Sequence, residues 1–226
     1  DGLNFRNLDV KSGISDNYVR SVLRDRYGFM WFATLNGLNR YDGYQFKKYT
    51  TTQLGAYNND IESIAEDAAG NIWIKGPVSY YIYDREQDKL ENKIQPVLNK
   101  YGITGEVSYL TVDKDYNLWC TVMDTLFHYD FAKSKLHTFQ LPGKEKMQQV
   151  VCRRSCAYLL FSNGEIARID SNFQHIRPET RRTISSGLQY NLYIDTVDRL
   201  WFYASHASGL QCYDTNQKQW IDYVGR

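Results

Sequence analysis

The stretch DRYGFMWFATLNGLNRYDG, residues 25–43, decides the fold because its frame returns along the chain. It recurs as DAAGNIWIKGPVSYYIYDR from Asp67, as DKDYNLWCTVMDTLFHYDF from Asp113 and, slightly stretched, as DTVDRLWFYASHASGLQCYDT from Asp195. A degenerate copy, VVCRRSCAYLLFSNGEIARID, carries Arg153 where the others have Asp and Leu159 where they have Trp. The five starts lie 42, 46, 40 and 42 residues apart, a period that belongs to propeller blades or to two-helix repeats.

Local pattern chooses between them. An apolar pair three apart precedes each of the first four starts (Val19 and Val22, Ile61 and Ile64, Val107 and Leu110, Met147 and Val150). The Asp-x-x-Gly or Asp-x-x-x-Asn directly behind it breaks a helix and fits two short strands joined by a tight turn. In that reading Asp25 and Asp67 cap the turn through their side chains, and Gly28 and Gly70 supply left-handed torsions. Trp31, Trp73, Trp119 and Trp201 begin the second strand and bury large rings between sheets. Tyr41, Tyr83, Tyr129 and Tyr213, each followed by Asp, close a third strand, with Ile169-Asp170 as the weaker copy. A fourth, outer strand follows in YQFKKY, KLHTFQL and QWIDY. The sequence therefore predicts an all-β chain, a β-propeller of four-stranded antiparallel blades near 15–49, 57–94, 104–141, 145–177 and 187–223.

The count does not close. FRNL, within 3–9, resembles an outer strand but precedes any inner strand. An N-terminal outer strand commonly completes the last blade of a propeller, so about five repeats plus an orphan point to part of a larger propeller.

Composition narrows the function. With 27 basic and 26 acidic residues the chain has no global field for nucleic acid or an anionic membrane. Its 19 tyrosines favour strands. No stretch approaches the roughly 20 apolar residues of a membrane span, and the opening DGLNF, without initiator Met or signal pattern, reads as a processed end. The histidines at 128, 137, 175 and 206 are scattered, the four cysteines contain no C-x-x-C pair, and Ser162-Asn163-Gly164 is a turn rather than a nucleophile elbow. No catalytic residues, metal ligands or cofactors are expected. Cys152 and Cys156 flank a three-residue turn and could bridge a hairpin, the alternative being two unpaired thiols.

The pattern L-x-x-D-x-x-G-x-x-W followed by G-L-x-x-Y-D, preceded by SGISDNYV, resembles the two-component regulator propeller repeat. The resemblance is specific in residues 23–43, good in the copies at Asp67 and Asp113 and looser in the last two, and spans nearly the whole chain. It implies the periplasmic sensor region of a hybrid two-component system in glycan-degrading gut bacteria. Such a region has two propellers of about seven blades, then a β-sandwich, a membrane helix and cytoplasmic kinase, receiver and DNA-binding modules. The implied ligand is an oligosaccharide, the implied parent a membrane-anchored histidine kinase, and the implied assembly a homodimer.

Repeat positions are spent on packing, so a site belongs on the non-repeating loops. Outer-to-inner connections and second-to-third-strand turns share one face, and there Tyr57, Tyr101, Arg181, Arg182 and His206 offer flat rings and forked donors to a sugar. A protein-interaction scaffold and a propeller glycosidase or lyase are the competing readings.

Overall fold

The computed structural model describes residues 7–143, 145–153, 156–170, 172–182, 190–204 and 210–223. It divides into two compact units, Asp1–Gly105 with Asp115–Asn117, and Glu106–Lys114 with Leu118–Arg226. The fold is all-β: five four-stranded antiparallel sheets, each following chain order from its first strand to its fourth.

The first unit holds two sheets. One comprises β1 (Val19–Arg24), β2 (Met30–Thr34), β3 (Gly37–Tyr41) and β4 (Phe46–Tyr49); the other β5 (Ser63–Glu66), β6 (Ile72–Lys75), β7 (Tyr80–Asp84) and β8 (Lys89–Glu91). Their core joins Trp31, Ala33 and Leu38 to Ile61, Ile64, Ile72 and Ile74. Gly28 (φ 91°) and Gly70 (φ 88°) take the left-handed torsion at the first turn of each sheet. Gly37 (φ 114°) has a second constraint, since a Cβ there would lie 2.7 Å from the Tyr49 carbonyl oxygen. That close approach explains the Gly of G-L-x-x-Y-D.

The SGIS segment ahead of β1 is pinned by the third strand. Asn39, fully buried, accepts from Ser15 N through Oδ1 (2.8 Å) and donates from Nδ2 to Ser15 Oγ (2.7 Å), while Ser15 Oγ meets Thr34 Oγ1 at 2.9 Å. Of the expected orphan strand over 3–9, residues 3–6 lie outside the described residues, and residues 7–9 are irregular, with Asp9 capping a short 3₁₀ turn, Val10–Ser12.

The second unit holds three sheets. These are β9 (Val107–Val112) to β12 (Lys135–Gln140) by way of β10 (Leu118–Val122) and β11 (Thr125–Asp130); β13 (Met147–Arg153), β14 (Cys156–Phe161), β15 (Glu165–Ile169) and β16 (Ile176–Arg181); and β17 (Tyr190–Ile194), β18 (Arg199–Ala204), β19 (Leu210–Asp214) and β20 (Gln219–Tyr223). Strand β14 is buried on both faces. Leu159 and Phe161 join the core shared with Trp119 and Leu126, and Tyr158 and Leu160 join the one shared with Leu192 and Phe202.

The register of β13 with β14 corrects the expected cysteine bridge. Cys152 stands opposite Ala157 and Cys156 opposite Arg153. Being one step out of phase, the two side chains leave opposite faces of the sheet, Cys152 toward the Trp119 core and Cys156 toward the Phe202 core. All four cysteines are free of disulfides.

Candidate functional site

Each regular repeat spends its acidic residue on the same job. Asp25 Oδ1 accepts from the backbone of Tyr27 and Phe29 (3.0 Å each), and its Oδ2 accepts from Trp31 Nε1 at 2.9 Å. The same indole-to-carboxylate bond joins Trp73 to Asp67 (2.8 Å), Trp119 to Asp113 (2.9 Å) and Trp201 to Asp195 (2.9 Å). Burial works to raise the Asp195 carboxyl, but hydrogen bonds from Trp201, Arg199 and Val197 outweigh it and hold the group at about 2. All four carboxylates are hydrogen-bonded within their own repeats, which suits structure rather than proton transfer. The indole bond was missing from the sequence reading, although the fixed spacing of six residues in four copies was its signal.

In the first unit the junction between the two sheets is filled with charge. Arg26 Nε donates to Glu66 Oε1 (2.8 Å), and its Nη2 donates to the carbonyls of Asp67 (2.7 Å) and Ala68 (3.0 Å). Arg85 reaches Asp25 Oδ2 at 3.2 Å and Glu66 Oε1 at 3.5 Å. On the same side of the unit, the half-buried Asp88 accepts from Tyr49 (2.5 Å), Tyr83 (2.6 Å), Arg40 (3.0 Å) and Lys47. Arg40 itself lies over the ring of Phe29 at 4.7 Å and within 6 Å of those of Trp31, Tyr49 and Tyr83. Every member of this box is occupied by another.

The loop face treats the five sequence candidates differently. Tyr57 is fully exposed. Tyr101 is tied down, its hydroxyl accepting from Asn71 Nδ2 at 3.0 Å in the first turn of the second sheet. It follows a short helix, α1 (Gln95–Asn99), that buries Leu98 and is followed by buried Ile103. This part of the expected ligand loop is thus a packed plug. Arg182 is pinned by Gln211 Oε1 (2.9 Å) and lies over Trp220 at 5.3 Å. Arg181 is exposed, with a loose approach to Glu165 of 3.9 Å. His206 lies outside the described residues.

Arg181 borders a cleft of about 330 Å³ in the second unit, with Pro142, Phe161, Glu165, Ile166 and Pro178 among its walls. Phe161 and Ile166 are buried beneath it, while Glu165 and Arg181 stand at its mouth. Its opening follows from backbone irregularity: the β15–β16 register shifts between Ile166 and Ala167, where Pro178 cannot donate to the ladder. An apolar floor with a carboxylate and a guanidinium at the rim offers stacking area and hydrogen bonds to a hydroxylated ligand. Pro178 in an otherwise strand-like IRPET was the sequence signal for it.

This turn, clamp and pinned SGIS segment meet a known pattern. Residues 13–36 match the two component regulator propeller. That match covers Gly13–Ser15 of the SGIS segment, β1, the Asp25 turn and β2. No curated protein matches the chain. Among solved structures, the chain is similar to an extracellular domain assigned to the hybrid two component system BT3049 of B. thetaiotaomicron. The identity is 21% over 96% of this chain and 31% of that one, with a TM-score of 0.63. It is also similar to virginiamycin B lyase of Staphylococcus aureus, catalytically inactive and with quinupristin, at 16% identity, 91% and 69% coverage and a TM-score of 0.61. PorZ, a surface component of the type-IX secretion system of Porphyromonas gingivalis, follows at 10% identity, 96% and 28% coverage and a TM-score of 0.60. These likenesses establish the β-propeller fold, and the chain spans about a third of the two component domain it matches.

The blades bring together no cluster of three or more His, Cys, Asp or Glu able to hold a metal among the described residues. No described helix is long and apolar enough to cross a membrane.

Proposed function

We propose that this chain is an extracytoplasmic, non-enzymatic sensor propeller of a two-component signalling protein, recognising a glycan or oligosaccharide in the periplasm and controlling its use through a histidine kinase parent. The observation that carries the reading is the regulator-propeller repeat at residues 13–36, set in blades whose recurrent carboxylates are consumed by turns and indoles. Similarity to extracellular domains of two component systems supports the setting. The cleft beside Arg181 and Glu165 supplies a docking place of suitable chemistry. A ligand switches such a protein only by preferring one state of it.

Calorimetry of the full chain against a panel of plant and host oligosaccharides tests the proposal. One oligosaccharide should bind, and Arg181→Ala should weaken it about tenfold, roughly the effect of losing one charge-assisted contact. Silence across the panel, or binding untouched by Arg181→Ala and Glu165→Gln, would refute this site. Turnover of any glycan would move the protein to the lyase or glycosidase reading. Tyr18, Leu35, Tyr57 and Val78 are exposed in the first unit, so sedimentation velocity of the same samples tests the homodimer and scaffold readings, a monomer at all concentrations counting against both.

A further inference from the structure

The degenerate fourth repeat leaves a gap where a regular one is filled. In the first unit the residue after Asp25 is Arg26, which spans to Glu66, the residue before Asp67. At the corresponding places between the third and fourth repeats stand Lys114 and Cys152, and Arg153 replaces the Asp. With a thiol at the place of Glu66, the pair that Arg26 makes has no counterpart for Lys114. Instead there is a cleft of about 370 Å³, bounded by residues 111–114, Trp119, 150–153, Tyr193 and Ile194.

The chemistry of its lining is lopsided. Lys114 is exposed and forms no ion pair among the described residues. Arg153 is held by Nε to Asp198 Oδ1 at 2.6 Å and by Nη2 to the Thr196 carbonyl. That leaves its Nη1 unbonded among the described residues, and Asp198 offsets part of its charge. Asp113, the carboxylate of the lining, has Oδ2 engaged by Trp119 Nε1. Val112, Val150 and Ile194 add apolar wall to the same cleft, and Tyr193 is exposed. A cation fork beside a flat, partly apolar wall favours an anion attached to a ring.

We propose that this cleft at Lys114, Arg153 and Tyr193 binds a small ring-bearing carboxylate of the uronic acid type, the carboxylate between the two cations and the ring against Tyr193. The inference goes beyond the oligosaccharide reading and does not depend on the Arg181 cleft.

Half-buried Cys152 lines the cleft and reports on it. In the full chain with Cys156→Ser, the rates at which iodoacetate and iodoacetamide alkylate Cys152 are compared with the same ratio in the unfolded chain. An anion-collecting cleft raises the folded ratio by about fivefold, at the low end of electrostatic focusing. Lys114→Gln, an exposed and structurally mild change, returns the ratio toward the unfolded value. D-galacturonate slows the labelling, D-galactose does not, and Tyr193→Ala removes the protection. A folded ratio equal to the unfolded one, a ratio indifferent to Lys114→Gln, or equal protection by galactose overturns the proposal.

Discussion

Trp31 Nε1 donates to Asp25 Oδ2 at 2.9 Å across six residues, and the indole is wholly buried. The two groups are unequal partners. Trp31→Phe removes the donor but leaves Asp25 its turn bonds and Arg85, so it should cost about 1 kcal/mol beyond the volume change. Asp25→Ala strands the indole N–H and unties the turn together, for an expected loss of about 2 to 4 kcal/mol. Trp73→Ala, which empties a fully packed site, should cost about 3 to 5 kcal/mol. Urea unfolding of the three variants ranks them; Asp25→Ala as mild as Trp31→Phe would contradict the clamp.

His128 gives a pH dependence of definite sign. It is buried, both ring nitrogens lack hydrogen-bond partners among the described residues, and the ring stacks on Trp119 at 4.0 Å and Phe173 at 4.7 Å. Burial, then repulsion from neighbouring His137, brings it down to about 4, against the pull of Asp130. The unfolded chain therefore takes up this proton first as pH falls. Stability is full above the unfolded value of about 6.5 and declines toward pH 4, by about 2 kcal/mol at pH 5. His128→Phe should flatten that slope between pH 7 and 5, leaving the smaller part due to His137, which burial also lowers. An unchanged slope would show that His128 finds a partner in solution.

The cysteines should divide by reactivity. Burial pushes the Cys120 thiol up to about 12, and Cys212 is buried and also raised by burial. Native alkylation followed by mass spectrometry should find Cys152 and Cys156 modified and the other two protected until the chain unfolds. Air oxidation should produce no Cys152–Cys156 bridge, because the register sends the two side chains to different cores. A loss of two mass units on that hairpin peptide would refute the register.

Asp88 joins four donors from a left-handed backbone position, φ 50°. Asp88→Ala leaves two largely buried tyrosine hydroxyls and Arg40 without their acceptor and should cost about 2 to 4 kcal/mol. Asp88→Asn keeps an acceptor and a residue tolerant of that torsion, so thermal melts should show most of the stability retained. By contrast Asp84→Asn preserves the Oδ1 that serves Glu86 N and Gln87 N and should be nearly silent.

The sequence made the blades legible because period, turn residue and ring recur in phase at Asp25, Asp67, Asp113 and Asp195. The four-strand order follows from that repetition. The site was far less legible. Tyr101 looked like a loop residue because nothing local announces that Leu98 and Ile103 sink and carry the plug inward. Arg182 looked free because its partners, Gln211 and Trp220, are distant in sequence. The clefts were invisible for a deeper reason: one arises from a register shift at Pro178 and the other from contacts that a repeat fails to make. His128 was passed over as scattered, since its stacking on Phe173 is tertiary.

The unequal clamp also bears on the fourth repeat. Replacing Trp by Leu while Asp remains leaves a carboxylate still useful to its turn, whereas replacing Asp by Arg beneath an intact indole leaves a buried donor with nothing to meet. Leu159, fully buried, fills the place of the indole without a donor to satisfy, and so tolerates Arg153 where the other repeats have Asp. Arg153→Asp, which restores a carboxylate useful to its turn, should therefore be tolerated, whereas Leu159→Trp beside Arg153 should fold poorly, its indole donor having no carboxylate to meet.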